Sequence, residues 1–312
     1  MKYRSEMKSP RIYGYRAFEV YETELYVEGL HKPLTLALSG DVHMSNVDYR
    51  DGNDCKEYSW QRLVWFPLAN AIFDEILHFP KDTGADFSVL LGDIVDFPSK
   101  KNFEELEKMK DPAFGPYLYV SGNHDYWFPY EGKEDAVRSY AAEIDAFAVD
   151  KTGKFPEITP EEAKDREGGF HAVDLGEIVV AGGNDITKKG KTALIKGLRA
   201  LKKAGKPVLL CLHDPLYSAT LAPDIRKAWG SPLQESLAGK DALTDEILSE
   251  NSPVVGVLAG HVHFFHNDLL EGKIPQIVVS SQEKKLKTGT EAESRKFWSG
   301  MGVLKLLPLE KA

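Results

Sequence analysis

Residues 87–96 read Phe-Ser-Val-Leu-Leu-Gly-Asp-Ile-Val-Asp, an apolar run that ends in Gly92-Asp93. Short apolar runs bounded by glycine are typical of buried strands. The same order of apolar run, polar loop and helical stretch begins at Leu34 and recurs along the chain. Strands that alternate with helices predict an α/β fold, and later hairpin signals argue against a purely parallel sheet.

The remaining apolar runs and helical periodicities predict the other elements. Strands are predicted at Leu25–Val27, Leu34–Ser39, Phe87–Leu91, Tyr117–Ser121, His171–Leu175, Ile178–Ala181, Val208–Leu212, Val254–Ala259, Ile277–Ser281 and Val303–Leu307. Helices are predicted at Trp60–Phe79, kinked or split by Pro67, and at Phe103–Met109, Ala136–Phe147, Lys191–Ala204 and Asp241–Glu250.

Three stretches of the chain define its predicted domain organisation. Residues 1–30 are predicted to form an N-terminal arm that packs on the core, and residues 31–312 a single domain. Residues 126–168 interrupt that domain as an insertion rich in charge and proline. This insertion either roofs a site on the loop side of the sheet or is a solvated surface excursion.

Composition excludes several classes of protein. The chain of 312 residues has 42% hydrophobic and 28% charged residues, as ordinary globular proteins do. A net charge of -9 argues against a protein held to nucleic acid mainly by phosphate contacts. Cys55 and Cys211 are too few for a disulfide framework. No run approaches the ~20 apolar residues of a membrane span, and no signal peptide is recognised. We therefore expect a reduced, cytoplasmic protein with no membrane partner.

Polar clusters follow five of the predicted strands. They are Asp41-Val-His43, Gly92-Asp93-Ile-Val-Asp96, Gly122-Asn-His-Asp125, His213-Asp214 and Gly260-His-Val-His263. Because the carboxyl ends of the strands share one edge of an open α/β sheet, we expect these clusters to converge. So many imidazoles and oxygen ligands cannot be buried together without a cation. Carboxylates with imidazoles suit Mn, Fe, Zn, Co or Ni, and a dinuclear site is predicted.

The spacing within the clusters predicts how the candidate ligands divide between two metal ions. In an extended segment Asp41 and His43 would point to the same face and bind one ion. His261 and His263 have the same spacing, but because the chain turns there they either share an ion or divide between two. Glycine precedes a ligand in four clusters, where it permits a sharp turn and a close approach. These glycines are Gly40, Gly92, Gly122 and Gly260.

Each cluster alone also has an ordinary structural interpretation. A Gly-Asp pair after a strand is usually a turn, and a lone histidine is usually a hydrogen-bonded structural residue. The ordered series at strand ends is what favours a metal site, because turn chemistry does not explain the order. The histidines outside the series are assigned structural roles. They are His31, His78, His171 and His266.

The ordered motifs Asp-x-His, Gly-Asp-x-x-Asp, Gly-Asn-His-Asp, His and Gly-His-x-His resemble the calcineurin-like metallophosphoesterase superfamily. The resemblance covers residues 34 to about 281, which is nearly all of the α/β pattern. It implies a four-layered α/β/β/α sandwich with two central mixed sheets and a metal site at the loop edge. The His213-Asp-Pro215 cluster is similar to the bacterial phosphodiesterase branches.

The resemblance also implies a role for each site residue. It assigns Asp41, His43 and His263 to a first metal, Asn123, His213 and His261 to a second, and Asp93 to a bridge between them. His124 would protonate the leaving oxygen or stabilise the phosphoryl group, and Asp96 would orient His124. Two ions, taken as Mn, Fe or Zn, would activate a water that attacks phosphorus directly.

Departures from the family pattern disfavour two subfamilies, the Ser/Thr protein phosphatases and the purple acid phosphatases. Phe97-Pro98 stands where Ser/Thr protein phosphatases carry Arg-Gly, and Asp125 stands where they carry Glu. Asp96 stands where purple acid phosphatases place a tyrosine ligand. The expected substrate is therefore a small phosphodiester rather than a phosphoprotein.

Three alternatives stay open at this point: a phosphomonoesterase, a nuclease, and a metal-binding scaffold without catalysis. A nuclease would need a basic groove, for which Lys188–Lys191 and Lys284–Lys287 are the visible candidates. The scaffold is disfavoured because every ligand position and His124 are filled. Nucleic acid is not the expected partner, and the sequence predicts no oligomeric state.

Overall fold

The computed structural model describes residues 2–16, 18–126, 169–230, 241–282 and 300–310. Within these residues, the strands form two mixed sheets. In chain order they are β1 (Ser5–Met7), β2 (Arg11–Tyr15), β3 (Phe18–Val27), β4 (Leu34–Ser39), β5 (Phe87–Leu90), β6 (Tyr117–Tyr119), β7 (His171–Asp174), β8 (Val179–Gly182), β9 (Val208–Cys211), β10 (Val254–Ala259), β11 (His266–Leu270), β12 (Ile274–Val278) and β13 (Gly300–Pro308).

The first sheet runs in the order β1-β3-β13-β4-β5-β6, with β2 also paired to β3. Strands β4, β5 and β6 are parallel, so their carboxyl ends point to one edge. Strand β13 lies antiparallel to β4 and parallel to β3. The strands within residues 1–30 thus extend the sheet beyond β13. On this basis we propose an arm packed on a single domain of residues 31–312.

The second sheet runs in the order β11-β12-β10-β9-β8-β7. Its inner strands β8, β9, β10 and β12 are parallel. A hairpin closes each edge, since β7 pairs antiparallel with β8 and β11 antiparallel with β12. The predicted hairpin at residues 171–181 is therefore confirmed, and neither sheet is purely parallel.

The described residues also form seven α-helices. They are α1 (Gly52–Trp65), α2 (Ala69–Thr83), α3 (Lys100–Leu106), the short α4 (Asn123–Tyr126), α5 (Lys188–Ala204), α6 (Leu221–Trp229) and α7 (Ala242–Leu248), and a 3-10 turn, Glu107–Lys110, follows α3. Pro67 lies between α1 and α2, so the predicted long helix is split in two there. None of the described helices is long and apolar enough to cross a membrane.

Three apolar clusters define four layers. Leu38 of β4 and Leu209 of β9 belong to one buried cluster, which lies between the two sheets. On the opposite face of the first sheet, Ala37 joins a cluster with Phe73 of α2. On the outer face of the second sheet, Leu210 joins residues of α5 and α7. Side chains alternate between faces along a strand, and the predicted α/β/β/α sandwich is confirmed.

Several elements differ from the sequence prediction. Helix α6 was missed because of Pro223, yet proline is tolerated in a first turn, where its missing N–H has no partner. Strands β1, β2 and β11 were missed because they are edge strands with polar or glycine-containing sequences. Apart from Tyr126, the predicted insertion at 126–168 and its helix lie outside the described residues.

We expect Gly182→Ala to destabilise the fold because the two sheets pack closely at this strand end. An added Cβ would lie 2.5 Å from the Cys211 carbonyl oxygen and 2.7 Å from Val120 Cγ2. Overpacking of this kind costs about 1–3 kcal/mol, measurable as a lower urea midpoint. Gly14→Ala is the control, since a Cβ there meets nothing within 4 Å. Equal midpoints for both variants would contradict this account of the packing.

Candidate metal site

The five polar clusters lie together at one edge of the sandwich, where loops from both sheets meet. Residues 41–43, 93–96 and 123–125 follow β4, β5 and β6 of the first sheet, and residues 213 and 261–263 follow β9 and β10 of the second. The two sheets contact each other directly through these loops. For example, the His261 N–H donates to Asp41 Oδ1 at 2.8 Å.

The backbone at the ligands differs from the expected one. Five site residues have left-handed backbone conformations: Asp41 (φ 51°), His43 (φ 53°), Asp93 (φ 50°), His261 (φ 69°) and His263 (φ 55°). The prediction that Asp41 and His43 lie on one face of an extended segment is therefore wrong. Each such residue costs about 1–3 kcal/mol, and functional sites are where proteins retain this strain.

The glycines before the ligands act mainly by allowing close approach. Of the four, only Gly92 has a positive φ (85°). At Gly260 the chain turns sharply, since the Val262 N–H donates to the Gly260 carbonyl at 2.8 Å. A Cβ on Gly92 would lie 2.4 Å from His213 Nδ1, and one on Gly122 would lie 2.2 Å from Asp93 Oδ1. Side chains at these two positions would occupy the space of the site residues themselves.

The ligand atoms form overlapping groups. In each of three groups, one ligand atom per residue lies within 4.8 Å of the others: Asp41, His43 and His263; Asp93, His213 and His261; and His43, Asp93 and His124. In the first, His43 Nε2 is 2.9 Å from His263 Nε2. In the second, His213 Nε2 is 3.2 Å from Asp93 Oδ2 and 3.2 Å from His261 Nδ1. Each group has the size and donor types to hold a metal ion.

Hydrogen bonds fix the tautomers of two of these imidazoles. His213 Nδ1 lies 2.8 Å from the Leu91 carbonyl oxygen, which can only accept, so Nδ1 carries the hydrogen. His43 Nδ1 likewise donates to Asp96 Oδ1 at 2.7 Å. In both rings Nε2 is the nitrogen that faces the cluster. Holding a ligand ring through its other nitrogen is the usual way in which proteins orient metal-binding histidines.

Two buried oxygens identify where a cation fits. Asp41 Oδ2 and Asn123 Oδ1 are buried and have no hydrogen-bond partner. Burial raises the pKa of Asp41 to about 8. Burial alone would lower the pKa of His213, but the Asp93 and Asp41 carboxylates hold it well above its usual value. The cluster therefore attracts positive charge, and its oxygen and imidazole donors fit first-row transition metals.

Asp96 is hydrogen-bonded to two histidines and an arginine. Besides His43, its carboxylate accepts two hydrogen bonds from Arg62, of 2.6 and 2.7 Å. His124 Nδ1 lies 3.0 Å from the Asp96 carbonyl oxygen and 3.3 Å from its Oδ1. The sequence prediction named Asp96 and His124 but missed Arg62, which lies in a helix without a recognisable motif.

Asp125 and Asp185 organise the loops that carry the ligands. Asp125 accepts from the backbone N–H groups of Gly122 (2.7 Å), Asp93 (2.9 Å) and Val95 (3.1 Å), and from the Tyr119 hydroxyl (2.6 Å). Asp185 accepts from the N–H groups of His213 (2.8 Å) and Asp214 (3.0 Å). The Gly-Asn-His-Asp motif contains Asp125, but no local signal indicated Asp185.

The histidines assigned structural roles lie outside the three groups. His31 hydrogen-bonds to Glu177, with its ring Nδ1 3.2 Å from Oε1. His266 contacts two carboxylates, with Asp224 Oδ2 3.0 Å from its Nδ1 and Asp268 Oδ2 3.3 Å from its Nε2. Among the described residues, the groups that could hold a metal ion contain none of these histidines.

Comparison with solved structures found partial similarity at low sequence identity. A dimetal phosphatase from Danio rerio is 12% identical, with a TM-score of 0.48 over 79% of this chain and 87% of that one. A purple acid phosphatase from yellow lupin (Lupinus luteus) is 14% identical, with a TM-score of 0.47 over 92% and 47%. A phosphopantetheinyl hydrolase from Mycobacterium tuberculosis is 14% identical, with a TM-score of 0.43 over 86% and 96%.

Comparison with sequences gave a clear family assignment. A search of curated proteins found no match. The family model for calcineurin-like phosphoesterases, by contrast, matches residues 34–265, which is well over half of the chain. The matched span includes all five motif loops, from Asp41 to His263. The chain therefore belongs to the calcineurin-like phosphoesterase family, metal-dependent hydrolases that act on phosphoric ester bonds.

Proposed function

We propose that this chain hydrolyses a small phosphodiester at a site that holds two metal ions. In this proposal Asp41, His43 and His263 bind one ion, Asn123, His213 and His261 bind the other, and Asp93 bridges them. We further propose Mn, Fe or Zn as the metals, the cytoplasm as the location and a small soluble ester as the substrate.

The position of Asp93 carries the proposal. Its Oδ2 lies 3.2 Å from His213 Nε2 and 3.8 Å from His43 Nε2, so one carboxylate oxygen faces a ligand from each group. Asp93 is 1% exposed. A buried carboxylate between ring nitrogens of both groups has the charge and the place of a bridging ligand.

The chemistry divides between the metals and the protein. Two ions supply an activated water and neutralise phosphoryl oxygens. His124 is held through Nδ1 by the backbone and carboxylate of Asp96, and in this proposal its Nε2 acts on the leaving oxygen. Its side chain is 20% exposed, whereas that of His43 is 1% exposed. As an imidazolium, His124 would protonate the leaving group or stabilise charge on the phosphoryl group.

The residue after Asp96 supports a diester rather than a monoester. Phe97 is 0% exposed, so this position presents no cation to a substrate. A monoester is a dianion near neutral pH and gains more than a diester does from an arginine that donates two hydrogen bonds. Arg62, the nearby arginine, is already paired with Asp96.

The alternative of a nuclease has less support. Lys191 is paired with Asp241, with Nζ 2.7 Å from Oδ2, and therefore does not add a free positive charge to a basic groove. The second basic candidate, Lys284–Lys287, lies outside the described residues. A phosphomonoesterase and a metal-binding scaffold without catalysis stay as alternatives, and the predictions below separate them from the diesterase.

Metal analysis of protein loaded with Mn, Fe or Zn should give close to two equivalents per chain. Chelation should then lower the melting temperature, because a ligand that binds only the folded state stabilises that state by mass action. The measurements are elemental analysis and thermal unfolding with and without chelator. A chain that binds no metal after loading with all three metals would contradict the proposed function.

Turnover of bis-p-nitrophenyl phosphate should exceed that of p-nitrophenyl phosphate with Mn²⁺ present. The reason is that Phe97 stands where protein phosphatases carry an arginine that would bind a dianionic phosphate, and that Arg62 is already paired with Asp96. Comparison of kcat/KM for the two esters is the test, and a clear preference for the monoester would support the phosphomonoesterase alternative. Turnover of neither ester, despite two bound metals, would support the scaffold.

His124→Ala should keep both metals but slow the reaction by about 10²–10⁴ for substrates with poor leaving groups. The rate with esters of p-nitrophenol should fall less, because p-nitrophenolate leaves without being protonated. His213→Ala should instead lose metal along with activity. The readouts are metal stoichiometry and turnover on good and poor leaving groups. His31→Ala serves as control, since its side chain is 80% exposed and belongs to none of the three candidate ligand groups. Loss of a metal from His124→Ala would show that its role is misassigned.

A further inference from the structure

Helix α1 approaches the candidate metal site with two side chains that no motif includes. Of its residues, Gly52–Trp65, only Cys55 and Ser59 are buried, so core packing holds this helix weakly. Arg62 in its last turn and Phe66 directly after it both point toward the site. The Phe66 N–H donates to the Arg62 carbonyl at 2.8 Å, which fixes the two residues one turn apart.

The Arg62 guanidinium donates two hydrogen bonds to the carboxylate of Asp96. Its Nε donates to Oδ2 at 2.6 Å and its Nη2 to Oδ1 at 2.7 Å, while Asp96 is 0% exposed. Two parallel bonds from a planar fork fix both the position and the plane of a carboxylate. A single bond would leave that carboxylate free to rotate.

The orientation of that carboxylate determines the position of two imidazoles. The oxygen that accepts from Arg62 Nη2, Asp96 Oδ1, also accepts from His43 Nδ1 at 2.7 Å and lies 3.3 Å from His124 Nδ1. A rotation of the carboxylate would therefore misalign a metal ligand and the proposed acid together. Arg62 contacts neither imidazole directly and would act on both through Asp96.

Phe66 supports the same ligand from another direction. Its ring stacks on His43 with centroids 4.5 Å apart and planes 11° apart. It lies 5.6 Å from His263, and the Arg62 guanidinium carbon lies 4.8 Å from its centroid. The His43 ring is thus bounded by Asp96 at its Nδ1 edge and by Phe66 on one face.

We propose that Arg62 and Phe66 are positioning residues, which hold Asp96 and His43 so that His43 and His124 keep their orientations toward metal and substrate. This inference rests on the proposed function for the roles of those two histidines. A different role for Arg62, direct binding of the substrate phosphate, would require it to release Asp96. The two roles predict different kinetics. Loss of a positioning residue lowers kcat, whereas loss of a residue that binds the substrate phosphate raises KM.

The test compares Arg62→Met and Arg62→Lys with the wild-type chain. Titration of the metal-free proteins with Mn²⁺ should show about 10–100-fold weaker binding for Arg62→Met, the size of effect typical of outer partners of metal ligands. Its kcat should fall with KM little changed, and more for poor leaving groups than for p-nitrophenolate. Arg62→Lys should recover part of the lost Mn²⁺ affinity and part of the lost kcat. Lysine restores the positive charge but cannot donate two parallel hydrogen bonds to the carboxylate.

Arg50→Met is the matched control. Arg50 also binds both oxygens of one carboxylate, since its Nε lies 3.0 Å from each carboxylate oxygen of Asp48. This pair lies just before α1 and contacts no candidate ligand. The metal affinity and kcat of the Arg50→Met variant should equal those of the wild type. If Arg62→Met does not fold, Arg62→Lys and Phe66→Leu give the same comparison, and Phe66→Leu should weaken Mn²⁺ binding.

Failure of this inference is distinguishable from failure of the proposed function. A wild-type chain that binds no Mn²⁺ and turns over no ester would contradict the proposed function. If instead the wild type binds two metals and Arg62→Met matches it in affinity and kcat, only the positioning role is wrong. A rise in KM at unchanged kcat would likewise overturn that role in favour of a phosphate clamp.

Discussion

The buried charge of Asp93 is the constraint on which the rest of this site depends. A carboxylate that is 1% exposed must meet donors or cations, because an unpaired charge in the interior is too costly. Its Oδ1 accepts from the His124 N–H at 2.7 Å, and its Oδ2 lies 3.2 Å from His213 Nε2. The Asp93 N–H donates to Asp125. These partners come from loops of both sheets, so satisfying one charge fixes how the sheets meet at this edge.

The parts that sequence could predict follow local rules. An apolar run such as Leu34–Ser39 predicts a strand wherever it occurs, and the polar residues after it then fall at a sheet edge. Pro67 predicts a break between helices because proline lacks the N–H that a helix needs. The same rule predicts that candidate ligands as far apart in sequence as Asp41 and His263 lie at one edge of the sandwich.

The contacts that orient the site could not be predicted, because they join residues with no shared local pattern. Arg62 and Asp96 are 34 positions apart, and Asp185 and His213 are 28 apart. The left-handed backbone at His43 is also non-local, since its N–H donates to the Asp93 carbonyl at 2.9 Å. Propensity favours an extended segment there, and tertiary hydrogen bonds override it.

The place of β13 in the first sheet has a consequence for synthesis of the chain. This strand pairs with β3 on one side and β4 on the other, and a ribosome makes it after every other described strand. Until residues 300–308 emerge, β3 and β4 expose unpaired edges, which invite pairing with other chains. One edge of β3 and one edge of β4 therefore lack their partner through most of translation, although β3 can already pair with β1 and β2, and β4 with β5. Association between chains through these edges thus competes with correct folding of the first sheet until β13 is inserted.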